Sequence, residues 1–221
     1  MSTLIDFYHN SKEYQKILRE LYDHKIPFEY PLSLLNNMTY FYTPDISEGI
    51  KGASGFVRVF KKWTNPLAKF IGGRRVLEVM SGNGMLAYAL KQNGIDIIAT
   101  DNIAWKRFCT KNPWPIPIEN IDAIRAIKKY GERIDFLLMA WPIYDDPTAY
   151  NCVKALYKAN PGAIVIYIGE WQGGCTADDA FFNFTEVLKD GQFEEKVVKR
   201  YRNFSDLHDQ PFLVRYNCSA K

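Results

Sequence analysis

From Met1 to about Lys69 the apolar positions recur at spacings of three and four, and Tyr14, Ile17, Leu18 and Leu21 line one stripe of a predicted helix. Val57, Phe60 and Trp63 mark a second helical candidate, and Pro31 and the aromatic run Tyr40, Phe41 and Tyr42 lie between the two. From Arg75 onward short β-rich runs alternate with helical ones, which predicts an α/β fold with a largely parallel sheet. Strands are expected at 75–80, 96–100, 136–140 and 163–169, and helices at 85–92, 122–130 and 148–158, the last stopped by Pro161 and Gly162. Three prolines within 113–117 predict an extended connection. Thr176 reads as an N-cap for a helix running through Phe181, Phe182 and Leu188, followed by two antiparallel strands at 193–204 and 211–218. The expected organisation is a helical segment over residues 1–69, a cap or lid, and a main α/β domain over 70–221.

The chain has 221 residues, 47% of them hydrophobic, which suits one packed domain with a small appendage. Its 28 Lys and Arg against 25 Asp and Glu leave a net charge of +3, well short of the excess of a nucleic-acid coat. A nucleic-acid partner is allowed but not favoured. The longest apolar runs, around 136–144 and 163–168, fall short of the roughly 18 residues needed to span a bilayer, so no membrane role is expected. Asp6, His9, Lys12 and Glu13 interrupt any signal-like core, and a cytoplasmic location is expected. Cys109, Cys152, Cys175 and Cys218 form no C-x-x-C pair and His9, His24 and His208 stand apart, so neither a metal site nor a disulfide framework is expected. Oligomeric state is not legible.

The most informative stretch is 76–87, Val-Leu-Glu-Val-Met-Ser-Gly-Asn-Gly-Met-Leu-Ala, a strand entering a glycine turn and then a helix. Gly82, Gly84 and Ala87 fit the loose dinucleotide fingerprint G-x-G-x-x-G/A. Glu78 discriminates: a carboxylate facing this turn would repel a pyrophosphate but suits a ligand with ammonium and sulfonium groups. That tips the balance from a nicotinamide dinucleotide toward S-adenosylmethionine. Asp101 ends the next strand, where a carboxylate can accept from ribose hydroxyls. Asp122 and Ala123 open the helix before the Phe136 strand, where the carboxylate could accept from an adenine amino group.

On these residues the sequence resembles the class I, Rossmann-like, S-adenosylmethionine-dependent methyltransferases, from about Arg74 to the C-terminus. The match lies in Glu78, Gly82 and Gly84, in Asp101, in Asp122-Ala123, and in Trp141-Pro142-Ile143-Tyr144. The resemblance implies a seven-stranded, mostly parallel sheet with an antiparallel last strand and helices on both faces. It implies cofactor contacts from Glu78, Met80, Gly82, Gly84, Asp101, Asn102, Asp122, Ala123 and Ala140. Trp141 and Tyr144, from the motif, and Glu170, from its place directly after the 163–169 strand, are the candidate catalytic residues beside the methyl acceptor, which is expected to be a small molecule or planar group. Two positions depart from the family pattern. Met80 stands where glycine is common, and Trp141 replaces the polar residue that amino-group methyltransferases use to orient their target nitrogen. Transfer to a base amine is therefore a lesser alternative, as are a non-catalytic S-adenosylmethionine-binding module and an NAD-linked oxidoreductase.

Each candidate also has a purely structural reading. Glu78 and Asp101 could cap a helix or pair with a lysine, Asp122 could be only an N-cap, and Trp141 and Tyr144 could be core aromatics. Asp145 and Asp146 read as a solvated loop and helix start, and Cys175 as an ordinary buried cysteine. Glu170, followed by Trp171-Gln172-Gly173-Gly174-Cys175, stands where an acceptor would approach.

Overall fold

The computed structural model describes residues 11–31, 44–103, 112–172, 174–203 and 207–219, with the backbone alone for 44–48. The aromatic run at 40–42, Gly173 and Cys109 lie outside the described residues. Seven strands form one sheet: β1 Val76–Val79, β2 Ile97–Asp101, β3 Ile118–Asn120, β4 Phe136–Ala140, β5 Ile164–Gly169, β6 Thr185–Val187 and β7 Gln210–Tyr216. Their order is β3-β2-β1-β4-β5-β7-β6; neighbours from β3 to β5 pair in parallel, whereas β7 pairs antiparallel with both β5 and β6. This is the α/β, Rossmann-like sheet, mostly parallel with an antiparallel last strand, that the sequence predicts. Strand order reverses between β1 and β4, so a crevice opens at their carboxyl ends, where ligands bind in open α/β sheets.

Eight α-helices occur among the described residues: α1 Lys12–Tyr22, α2 Pro44–Ser54, α3 Lys61–Ile71, α4 Met85–Gln92, α5 Ala123–Tyr130, α6 Thr148–Ala159, α7 Asp179–Asn183 and α8 Gly191–Lys196. Because side chains alternate along a strand, each central strand feeds two cores. Val76, Phe136, Leu138, Ile166 and Ile168 pack with Ile17, Leu21, Trp63, Leu67, Leu90 and Phe193 on one face. Leu77, Val79, Leu137, Met139, Val165 and Tyr167 pack with Ala126, Ile127, Cys152, Val153 and Phe181 on the other. Helices α1 to α3 thus share one core with α4 and α8, and α3 runs two residues past the composition change near residue 69. No described helix is long and apolar enough to cross a membrane.

Four local expectations need correction. The stretch 193–204 is not a strand: it begins in α8, where Asp190 accepts from the Gln192 and Phe193 N–H groups and Phe193 and Val197 are buried one helical turn apart. The antiparallel partner of β7 is instead β6, which the sequence reading had merged into the preceding helix. That helix is capped by Asp178, which accepts from Phe181 N–H, and not by Thr176. The second N-terminal candidate divides, since Val57 and Phe60 lie in the extended link between α2 and α3. Strand β3 went unnoticed because it has three residues and directly follows the proline run.

The α8 cap gives a simple check. Asp190→Ala should lower the unfolding free energy by about 1 kcal/mol in urea denaturation, the usual loss for a capped helix start. An unchanged midpoint would contradict a helix there.

Candidate active site

The carboxyl end of β1 runs into a turn that only an unusual backbone can make. Met80, Gly82 and Gly84 all have positive φ, at 56°, 56° and 82°. The turn is closed by Gly84 N–H on the Ser81 carbonyl and tied to β2 by Ser81 N–H on the Thr100 carbonyl. The two glycines do different work. A Cβ on Gly84 would stand 2.8 Å from Ile116 Cγ2 and 3.0 Å from Ile118 Cδ1, so Gly84 serves close packing against β3. A Cβ on Gly82 would meet nothing within 4 Å, so Gly82 faces open space with its backbone bare.

Beneath the turn lies Glu78, 1% exposed, with Oε2 lacking a hydrogen-bond partner among the described residues. Burial, and secondarily the Asp101 carboxylate, push its pKa up to about 8 against the Ala87 N–H, which lowers it. Asp101 is also buried, and desolvation raises its pKa despite backbone partners: Oδ2 accepts from Gly82 N–H at 2.9 Å and Oδ1 from Ile103 N–H at 2.6 Å. Ser81 Oγ is a second buried polar atom without a partner among the described residues. Two carboxyls and a hydroxyl, at a glycine turn that faces open space, are groups that could hold a cationic, hydroxyl-bearing ligand. S-Adenosylmethionine, with its sulfonium, ammonium and ribose, fits that donor and acceptor set.

The other expected cofactor positions divide. Asn102, exposed, follows Asp101; Met80 leads the turn; Ala140 ends β4. All three therefore sit along the same carboxyl edge as Glu78 and Asp101. Asp122 is half exposed and engaged with Arg125, accepting from its N–H at 3.0 Å and pairing with its Nε at 3.2 Å, as an N-cap does for the helix that Ala123 begins. It stays linked to the crevice through Ile121 N–H on the Asp101 carbonyl.

At the acceptor side Trp141 follows β4 with φ 54° and donates its N–H to the Ile168 carbonyl at 2.7 Å. Tyr144 is 64% exposed, at the outer end of the same loop. Asp145 N–H binds the Ala177 carbonyl, and Asp146 accepts from Thr148 N–H at the start of α6. Glu170 is buried and fully engaged: Oε1 accepts from His208 N–H at 2.8 Å and Oε2 from Cys175 N–H at 2.7 Å. Burial works to raise its pKa, but these amides outweigh it and hold the carboxyl below its ordinary value. A Cβ on Gly174 would fall 2.2 Å from the Glu170 Cβ, so the loop closes tightly on this side chain. Burial pushes the Cys175 thiol up to about 12, which removes it as a nucleophile at neutral pH.

Sequence reasoning missed the amides that brace the turn. Asn83 donates to the Ala53 and Asn112 carbonyls and accepts from Met85 N–H. Trp114, from the proline run, donates its backbone N–H to the Asn83 carbonyl and its indole N–H to Ala53. An Asn between two turn glycines is the one signal that could have flagged the first of these.

Two outcomes follow. Gly84→Ala should cost about 1–3 kcal/mol of stability through strain and overpacking, and Gly82→Ala about 1 kcal/mol from its positive φ alone, both read by urea denaturation. Because folding raises the Glu78 pKa from 4.5 to about 8, the folded state holds a proton that the unfolded chain releases between these values. Glu78 therefore supports the ligand-free fold most at low pH and progressively less as pH rises through 8. Glu78→Gln should gain stability relative to the parent across that window, and a flat difference would contradict the burial argument.

No family model and no curated protein matches the chain. Among solved structures it is similar to the CcbJ methyltransferase from Streptomyces caelestis, at 11% identity, covering 71% of this chain and 90% of that one with a TM-score of 0.44. It is also similar to magnesium protoporphyrin IX methyltransferase from Synechocystis PCC 6803 with bound S-adenosylmethionine, at 11% identity, 93% and 98% coverage and a TM-score of 0.43. A methyltransferase from Bacteroides fragilis in complex with S-adenosyl-L-homocysteine matches at 13% identity, 70% and 77% coverage and a TM-score of 0.38. At these identities the likeness is one of fold, and function rests on the residues of the site itself.

Proposed function

We propose that the chain is an S-adenosylmethionine-dependent methyltransferase acting on a small acceptor with a planar or apolar portion. The observation that carries this reading is Glu78: a buried carboxyl with one oxygen unpartnered, next to Asp101 and under the Gly82 turn. A pyrophosphate ligand would meet two acids here, whereas a cation relieves the desolvation that keeps Glu78 protonated.

In this reading Glu78 and Ser81 take the polar, cationic end of the cofactor, and Asp101 accepts ribose hydroxyls with the lone pairs its two backbone bonds leave open. Gly82 lets the backbone come close, while Met80, Asn102, Asp122, Ala123 and Ala140 border the adenosyl portion along the edge from β3 to β4. When bound, S-adenosylmethionine supplies a methyl group activated by its sulfonium. Trp141 and Tyr144 pack against the acceptor and exclude water, so that proximity and orientation carry much of the rate. Glu170 acts at one remove, as a positioning residue: it fastens the 171–176 loop and the His208 backbone that frame the acceptor side.

Calorimetric titration with S-adenosylmethionine at pH 7, repeated in buffers of different ionisation enthalpy, tests this directly. Glu78 is mostly protonated there in the free protein, so binding should release a proton, approaching one per site. Glu78→Gln should abolish the release and weaken binding at least tenfold, or about 1.4 kcal/mol. Binding of NAD in place of S-adenosylmethionine would overturn the proposal.

A further inference from the structure

The acceptor side contains an aromatic contact that crosses between distant parts of the chain. The Phe56 ring, in the link between α2 and α3, lies nearly parallel to the Trp141 ring at the end of β4, with 14° between planes and 6.1 Å between centroids. That is offset-stacking geometry, in which the rings cover part of each other's faces, and both residues stay half-buried, so the remaining ring surface is open at the end of β4. Phe56 is only half-buried, and the Lys51 Nζ lies 5.2 Å from its ring centroid.

What holds Phe56 there is a buried cation. Arg58, 2% exposed, donates through Nη2 to the Phe56 carbonyl at 2.8 Å and the Gly55 carbonyl at 3.3 Å, and through Nη1 to Ser54 Oγ at 3.3 Å. It thereby clamps the turn at Gly55, whose φ is +84°. A guanidinium taken out of water needs an opposing charge. Asp209 lies within electrostatic reach: it is 3% exposed, directly precedes β7 next to the end of β5, and the Arg58 charge works to lower its carboxyl pKa against the burial that raises it. Its Oδ2 accepts from the Tyr201 hydroxyl, and the Tyr201 ring abuts Trp63, whose indole N–H binds the Arg58 carbonyl at 2.9 Å. His208, the next residue back, is the one whose N–H holds Glu170. Two adjacent residues of one loop therefore anchor both the N-terminal link and the end of β5.

We infer that Phe56 is a specificity-determining residue of the acceptor site, completing with Trp141 a composite wall for a planar aromatic acceptor, and that Arg58, which holds the Gly55 and Phe56 carbonyls, is the positioning residue that sets it. This rests on the methyltransferase reading and assigns to the N-terminal segment a direct share in choosing the acceptor. A ring laid against two stacked rings is recognised by shape and polarisability, which suits aromatic small molecules and excludes aliphatic ones.

The test uses 2-naphthol as a planar acceptor probe, with binding read by tryptophan fluorescence in the full chain saturated with S-adenosylhomocysteine, and cyclohexanol as the aliphatic control. The parent protein should bind 2-naphthol saturably and at least fivefold more tightly than cyclohexanol. Phe56→Leu, which keeps much of the bulk of the side chain, should lose at least fivefold in 2-naphthol affinity while its melting temperature matches that of the parent and its S-adenosylmethionine affinity by calorimetry stays within twofold of the parent's. Arg58→Met should lose the same discrimination; should that variant fail to fold, Asp209→Asn replaces it and should lower 2-naphthol affinity without changing cofactor affinity. Equal 2-naphthol affinity in Phe56→Leu and the parent, or no preference of the parent for 2-naphthol, would overturn the inference while leaving cofactor binding intact. Loss of S-adenosylmethionine binding by the parent itself would instead overturn the reading on which it rests.

Discussion

A carboxyl group sealed under the end of a central strand, with one oxygen lacking a partner, is costly to keep, and the arrangement around Glu78 keeps it. Parallel pairing brings β1 and β2 into register, Glu78 against Ala99, so that Asp101 reaches the same crevice two residues further on. The glycine turn then passes over both acids. A buried Glu with a raised pKa is most readily understood as a group waiting for a positive ligand, since a neutral or apolar residue would serve the ligand-free fold better.

The rest of the architecture holds this edge of the sheet steady. On the β2 and β3 side, Asn83, Asn112 and Trp114 bolt the turn to α1 and α2 through the Leu21 and Ala53 carbonyls. On the β5 side, Glu170 and Asp209 fasten the loops at the head of the β5–β7 pair. The first group joins the N-terminal helices to the main sheet directly, and Asp209 reaches them through Tyr201, whose ring abuts Trp63. A segment that sequence reading treats as a cap is therefore built into the same core and the same crevice, with Phe56 as its point of contact with Trp141.

Much of this was legible in the chain because it depends on local patterns. Four of the five parallel strands, the glycine turn and the acids Glu78 and Asp101 follow from alternation, from turn chemistry and from where carboxylates stand relative to strand ends. What escaped depends on long-range contact. Strand β3 is too short to show a period, and α8 carries its buried residues at Phe193 and Val197 in a stretch whose aromatic and β-branched content reads as strand. Arg58 and Asp209 stand 151 positions apart, and nothing near either in the sequence announces that both are buried. Asp122 shows the opposite limit: its position fits both a cap and a ligand contact, and the structure shows it bonded as a cap.

The account turns on the protonation of one side chain. Carbon-13 NMR of a sample labelled at the glutamate carboxyl carbons, with Glu78 assigned by its Gln variant, would follow that group through pH in the free protein and with S-adenosylmethionine bound. The free protein should show Glu78 titrating near 8, and the complex should show it ionised at pH 7 and below. A Glu78 resonance that titrates near the ordinary value of 4.5, or one that S-adenosylmethionine leaves unmoved, would contradict the account.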